Sequence, residues 1–530
     1  MKKTLLFGIA GVAFSAVAEV PAPVHLDDSF IYALSPNGKY AVSQNALGLK
    51  IYDLARGTED EYFDDMAIVS CGIGNCVSDN GIVLGTTDET TAQYWKDGEW
   101  YDLPVPASVD GVCLANAITP DGGRICGSLA SSDIVLDGDA LMQVPAVWYA
   151  DGDGYAMPVV LPYPEYDFSG RVPQYVTATD MSADGKTIIG QVQCATGMSA
   201  YPIIYKEGAD GKWTYEIVNA DKLSPEGAEF PVYPGDSPDY PVVEDYKSAE
   251  EEAAYNAAMQ AWVDSGYDED LYPNPVDFLN AEEKAEYEVD MEAYQVAFAK
   301  WVEEYNTWFD LFFSIVDSNP QFVFNSMRLS PDGKYFGGTV QISIPGDMWG
   351  SIYNAWVGDV ATGEYTRYTQ FDDLNLTYLA NEGIALASTS VGTVSQSYVL
   401  SNGMFENMYY WMSKQSVDYA AWMQENMVFG LETYDWETGD FGYEEIQMNG
   451  RATSTPNLET MALTVQNVWD YMTDAESFIF DVKAAHEAGV NGMEVGQDAK
   501  TVIYDLTGRR LEKAAAPGIY IVNGEKKVVR

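Results

Sequence analysis

The sequence predicts an all-β fold made of radially repeated four-stranded units, with an inserted helical segment and a small β module at the end. Three observations predict it: a tight-turn motif that recurs seven times, an aromatic residue on a strand some way downstream of each turn, and two breaks in the spacing. The first copy is Ser35-Pro36-Asn37-Gly38-Lys39-Tyr40. It returns as Ser78-Asp79-Asn80-Gly81, Thr119-Pro120-Asp121-Gly122, Ser182-Ala183-Asp184-Gly185 and Ser330-Pro331-Asp332-Gly333. Two weaker copies follow, Ala380-Asn381-Glu382-Gly383 and Thr455-Pro456-Asn457-Leu458, the last without its glycine.

Each copy has the same physical logic. The Asp/Asn-Gly pair supplies the positive backbone dihedrals of a tight turn between strands. A short apolar strand then ends in a small residue, as in Ile188-Ile189-Gly190, and a further strand carries an aromatic such as Tyr52, Trp95, Trp148, Tyr205, Trp356, Tyr398 or Phe480. A later turn, such as Lys96-Asp97-Gly98, leads to a fourth strand. Four short strands per roughly 40–50 residues is the signature of a propeller blade. Seven copies predict a seven-bladed β-propeller, with six or eight left open by the two degenerate copies. The turn motif resembles the S-P-D-G-K signature of WD40-like and TolB-type propeller repeats, over residues 28–483. That resemblance implies an extracellular β-propeller.

The spacing breaks twice. Between Ser182 and Ser330, Ser248-Ala249-Glu250-Glu251 is a capping box that opens a helix, and Tyr272-Pro273-Asn274-Pro275 ends it. A longer helix is expected over 281–316, with Tyr287, Met291, Tyr294, Phe298, Trp301, Tyr305, Trp308 and Phe312 on one stripe and Glu and Asp opposite. This acidic helical hairpin either packs its stripe on the chain itself or forms a partner-binding arm, for which Trp262, Trp301 and Trp308 are the candidate contacts. A second insertion spans about 404–449, with a helix expected near 416–427.

The last 30 residues read as Thr501-Val502-Ile503-Tyr504-Asp505-Leu506, a Gly508-Arg509 turn, Gly518-Ile519-Tyr520-Ile521-Val522 and a terminal basic strand. This resembles the C-terminal sorting domain of the type IX secretion system of Bacteroidetes-type bacteria. The resemblance implies that Tyr504, Gly508, Gly518 and Tyr520 carry a sorting signal read by secretion machinery. At the other end, a basic start, an apolar run at 4–14 and Ala16-Val17-Ala18 predict a signal peptide cleaved before Glu19. The expected organisation is a signal peptide at 1–18 and a propeller at 19–483, carrying insertions at about 240–318 and 404–449. A linker at 484–500 and a sorting-domain-like module at 501–530 follow. The expected location is extracellular, or on the outer-membrane surface.

A formal net charge of −53 makes nucleic acid and anionic lipid poor partners. Thirty-seven Tyr and 13 Trp are too many for a disordered acidic chain, so the protein is folded. The five cysteines, Cys71, Cys76, Cys113, Cys126 and Cys194, are read as small core residues, with Cys113 and Cys126 on neighbouring strands and no zinc spacing. Only His25 and His486 are present, and neither falls in a repeat, so a Ser-His-Asp triad inside the propeller is excluded by inventory. Asp151 and Asp153, flanking Gly152, could offer oxygens to Ca²⁺, although no EF-hand loop is completed. No other cofactor is expected. The function expected is a secreted or cell-surface binding protein, not an enzyme, engaging a glycan or a protein. The alternatives are an envelope assembly component acting through the acidic helices and a carboxylate- or tyrosine-dependent lyase or glycoside hydrolase.

Overall fold

The computed structural model describes residues 20–494 with breaks at 28, 46–47, 57, 63–67, 70–74, 89, 108, 110, 131–134, 137–138, 141, 168–170, 196–198, 219–230, 236, 268–270, 319–321, 345–346, 392–393, 435–440, 448–449 and 467–474, and beyond 494 the backbone of four strands within 503–529. The chain is mostly β, with few helices. Each turn motif sits between the first and second strands of a four-stranded antiparallel meander. The first sheet joins Ile31–Leu34, Tyr40–Asn45, Gly48–Asp53 and Thr58–Tyr62. The fourth joins Tyr175–Met181, Thr187–Gln193, Ala200–Glu207 and Trp213–Ile217, and the fifth begins with Phe322–Leu329 and Tyr335–Ile344. The degenerate sixth and seventh copies build the same unit, starting at Asn375–Leu379 and Arg451–Ser454. The seventh sheet takes its outer strand from the start of the chain: Val24–Leu26 pairs antiparallel with Ala475–Asp481.

The recurrence of Ser/Thr-x-Asp/Asn has a local cause. In the first copy the Ser35 hydroxyl donates to Asn37 Oδ1 at 2.8 Å and accepts from the Tyr40 amide at 2.9 Å. The same closed ring is made by Thr119, Asp121 and the Arg124 amide, by Ser182, Asp184 and the Thr187 amide, and by Ser330, Asp332 and the Tyr335 amide. Side chain and backbone thus satisfy each other inside the turn. In the seventh copy Leu458 takes the glycine's place at φ 59, a left-handed conformation normally costly for a branched-chain residue.

Neighbouring turns also bind one another. Asn37 N donates to Asp79 Oδ1, Asp79 N to the Pro120 carbonyl, and Arg124 Nη1 to the Gly185 carbonyl. Ala183 N donates to the Pro331 carbonyl, Asp332 N to Asn381 Oδ1, and Asn381 N to the Pro456 carbonyl. Gly38 then abuts Thr455 and Thr460 of the seventh turn, and the first strands of the seventh and first sheets pack together. The seven turns therefore follow one another in a circuit.

The third-strand aromatics are core residues: Trp148, Tyr205, Trp356 and Phe480 are fully buried. The small residue expected to end the second strand lies inside it in the fourth sheet, where Thr187–Gln193 runs on past Gly190, and there it is a packing requirement. A Cβ on Gly190 would lie 1.9 Å from the Thr177 carbonyl oxygen.

In the first insertion, α1 (Ala249–Asp264) opens with the expected capping box, in which Ser248 and Glu251 cap reciprocally. A second helix, α2 (Ala281–Ser318), follows a short turn at Pro275–Phe278. The aromatic stripe of α2 is covered by the proline-rich segment that precedes α1, which ends in a 3-10 turn at Val243–Tyr246. Tyr233 meets Trp308, the Gly235 carbonyl accepts from Trp301, Tyr240 meets Tyr294 and Tyr246 meets Tyr287. The second insertion forms two helices where one was expected, α3 (Met408–Gln415) and α4 (Val417–Asn426). Met412, Tyr419 and Met423 pack there with Leu463 and Phe480 of the seventh sheet.

The segment expected to be a linker is different. It contains α5 (Val482–Glu494), whose Val482, Ala485 and Ala488 are buried. Val482, Ala485 and Ala488 recur at helical spacing on one face, a short amphipathic pattern that the linker expectation passed over. In the tail, Ile503–Tyr504, Arg510–Leu511, Gly518–Val522 and Glu525–Val529 form one antiparallel sheet. Cys76 is disulfide-bonded, while Cys113, Cys126 and Cys194 are buried free thiols; Cys71 lies outside the described residues.

Candidate functional site

At the turn end of the sheets, the innermost strands enclose an axial cavity of about 40 Å³, room for roughly three or four waters at ~10–15 Å³ each. All seven sheets line it. The turns contribute a rim of Pro36, Pro120, Ala183, Pro331 and Pro456. Behind the rim lies the residue two places before each turn: Ala33, Cys76, Ala117, Asp180, Arg328, Tyr378 and Thr453 in chain order. Ala33, Asp180, Arg328, Tyr378 and Thr453 reach the cavity wall. Five of the inner strands shift register just before this layer, for instance between Ala178 and Asp180 and between Asn325 and Arg328. Such bulges re-aim a side chain out of the regular alternation.

Asp180 is 4 % exposed and fully engaged. Its Oδ1 accepts from the Asn75 amide at 3.2 Å and the Met181 amide at 2.9 Å, and its Oδ2 from the Leu329 amide at 2.9 Å. One carboxylate thereby ties the second, fourth and fifth units. Burial pushes its pKa up, against the pull of Arg328 and the three amides. Arg328, also buried, is pushed down by desolvation and held up by Asp180 and Tyr378. Burial raises the Tyr378 phenol far above its ordinary value, with Asp180 adding to the rise and Arg328 opposing it.

A second arginine stands close by. Arg451 lies at the start of the seventh sheet's inner strand, with its guanidinium over the rings of Phe30 and Tyr32 at 5.6 Å from each centroid. Its pKa is lowered to about 10, by burial first and by Arg328 second, with Tyr32 opposing. Arg328 thus lines the cavity with a carboxylate that already carries three N–H bonds, while Arg451 stands outside the lining, over the Tyr32 ring that forms part of the wall. In a chain of net charge −53, two arginines and one carboxylate therefore gather in and beside the cavity wall. Planar guanidinium donors stacked on aromatic rings are preorganised for carboxylate, sulfate or phosphate oxygens. The cavity lining holds one carboxylate, so the paired carboxyl groups of glycoside hydrolysis do not meet there.

The sequence reading passed over Asp180, Arg328 and Arg451. For Asp180 and Arg328 the signal was present, a charged residue two places before the turn where an apolar one is expected; Arg451, four places before its turn, gave none. Of the residues that were singled out, Asp151 and Asp153 flank the exposed turn of a hairpin in the third sheet. Trp262 is half-buried between Tyr267 and Tyr272. Trp301 stacks on Phe298 and Tyr305, and Trp308 is buried against Tyr233 and Phe312. The structure does not bring these three tryptophans into one exposed patch. Tyr504, Gly518 and Tyr520 fall on strands of the tail sheet, and Gly508 lies outside the described residues. No described helix is long and apolar enough to cross a membrane.

No family model and no curated protein matches this chain. Solved structures similar to it include the hydrazine synthase of Kuenenia stuttgartiensis, at 11 % identity over 88 % of this chain and 98 % of that one, TM-score 0.38. TolB from Acinetobacter baumannii shares 11 % identity over 75 % and 78 %, TM-score 0.25. The β-propeller domain of the Trilobed protease from Pyrococcus furiosus shares 7 % over 86 % and 95 %, TM-score 0.30. These likenesses are loose, and the fold is read from the strand order and the circuit of turns.

Proposed function

We propose that the chain is a seven-bladed propeller that binds rather than catalyses, and that its ligand, a glycan or a protein, presents an anionic group to the axial cavity. The observation that carries this reading is Arg328 in the cavity wall, backed by Arg451 stacked over the wall residue Tyr32, beside a single Asp180 whose oxygens are occupied by backbone amides. A carboxylate so saturated is a poor base or nucleophile, whereas stacked guanidinium is a good anion receptor. Export by the N-terminal signal, with the tail sheet read by secretion machinery, belongs to the same proposal. The helical-assembly alternative is less favoured, because the α2 stripe is spent largely on the chain's own residues 231–247.

The test measures binding of the full chain to uronate-containing oligosaccharides and to peptides with a free C-terminal carboxylate, beside their neutral or amidated counterparts. Anion-dependent binding that falls at least ~10-fold in Arg451→Gln supports the reading. Equal binding of neutral and anionic ligands sinks it, and preference for sugar or peptide assigns the ligand class. Separately, N-terminal sequencing of the exported protein is expected to begin at Glu19.

A further inference from the structure

We propose that His25, Asp27 and Glu476 form a zinc-type divalent-cation site that clasps the N-terminal strand to the last sheet. The site follows from the ladder. Val24–Leu26 runs antiparallel to Ala475–Asp481, with His25 opposite Phe478 and Leu26 opposite Ser477. Asp27 stands in the turn just past the strand, one step beyond the last paired residue Leu26, and Glu476 is one step beyond Leu26's partner Ser477. Side chains alternate along a strand, so His25 and Glu476 are directed to one face.

His25 Nε2 lies 3.4 Å from Glu476 Oε2, and one ligand atom from each of the three residues lies within 4.8 Å of the others. The imidazole is held in orientation by stacking on Phe478, at 4.8 Å between centroids and 13° between planes. Zinc bonds of about 2.0–2.2 Å need ligand atoms roughly 3.3–3.6 Å apart, which modest rotation of two solvent-reached carboxylates supplies. One imidazole nitrogen with two carboxylates suits zinc better than calcium or magnesium, which prefer oxygen alone. The partial exposure of the three residues leaves a path for the ion and a fourth position for water. An ion here bridges two segments some 450 residues apart in sequence, at the joint where the first strand completes the last sheet. It binds the folded chain and not the unfolded one, so it stabilises that joint.

The full chain is stripped with chelator and titrated with ZnCl₂, then CaCl₂ and MgCl₂, by calorimetry and amide hydrogen exchange. One site per chain is expected to take zinc in preference to the other two ions, and to slow exchange of residues 24–26 and 475–481 by at least ~10-fold. His25→Phe, which keeps a ring on Phe478, and Glu476→Gln are each expected to weaken zinc at least ~10-fold. His486→Ala is expected to change nothing. If His25→Phe binds zinc like the wild type, or if protection appears elsewhere and not in the N-terminal strand, the ion is held by the general acidic surface and the proposal fails. Absence of zinc binding to the wild-type chain also overturns it.

Discussion

Replacing Asp180 by Asn tests how the axial cluster holds the inner strands. The carboxylate accepts three amide N–H bonds, from Asn75, Met181 and Leu329. An asparagine offers one acceptor oxygen and an NH₂ group, so at least one of those amides faces another donor. An orphaned buried amide costs about 1–3 kcal/mol. The larger effect falls on Arg328, which is 6 % exposed and loses its counter-charge; stranding one partner of a buried pair costs about 3–5 kcal/mol. These costs overlap and do not add. One effect runs the other way: burial disfavours the Asp180 charge itself, and the amide relieves that. The relief is the smaller effect, because Arg328 cannot shed its proton at neutral pH and takes over the uncompensated charge. The expected net loss is about 3–5 kcal/mol, read as a fall in the denaturant midpoint. Arg328→Met in the same chain is expected to recover about 1–3 kcal/mol of it, as coupled neighbours do. A loss below about 1 kcal/mol in Asp180→Asn, or strictly additive single and double variants, would refute the reasoning.

Other outcomes follow from single contacts. Gly190→Ala places a methyl 1.9 Å from the Thr177 carbonyl oxygen, and the paired strands must part to admit it; a loss of at least about 3 kcal/mol is expected in the same unfolding assay. Leu458→Gly relieves about 1–2 kcal/mol of left-handed strain but removes a side chain only 5 % exposed, worth about 2–5 kcal/mol, so the variant is expected to be less stable by roughly 1–3 kcal/mol. Asp88 is held far below the ordinary carboxylate range by the Thr91 hydroxyl and the Thr91 and Thr90 amides. A depressed folded-state pKa gives stability that is present above the unfolded value and lost as pH falls beneath it. Asp88→Asn should therefore flatten the decline of stability below about pH 4, measured by thermal unfolding across pH; an unchanged slope would contradict this.

The repeat was legible in the sequence because its cause is local. Ser182, Asp184 and the Thr187 amide close their hydrogen-bond ring within six residues, so the same residues recur wherever the same turn is made. The capping box at Ser248 was legible for the same reason, being complete by Glu251. The linker expectation failed at α5, whose Val482 and Ala485 pack with the seventh sheet and the second insertion, partners distant in sequence from the stretch read as a linker. The aromatic stripe of α2 was visible as helical periodicity, but its cover, the Tyr233–Tyr246 stretch, has no pattern that points to it. The charges at Asp180 and Arg328 could be seen beside their turns, but the partners they meet lay beyond local reading. Asp180 meets the Leu329 amide 149 residues away, and Arg451 joins Phe30 and Tyr32 from the far end of the circuit. Local hydrogen bonding writes the turns and caps into adjacent residues. Which charged side chains share the dry axis depends on strands meeting across the whole ring, and only the tertiary structure decides that.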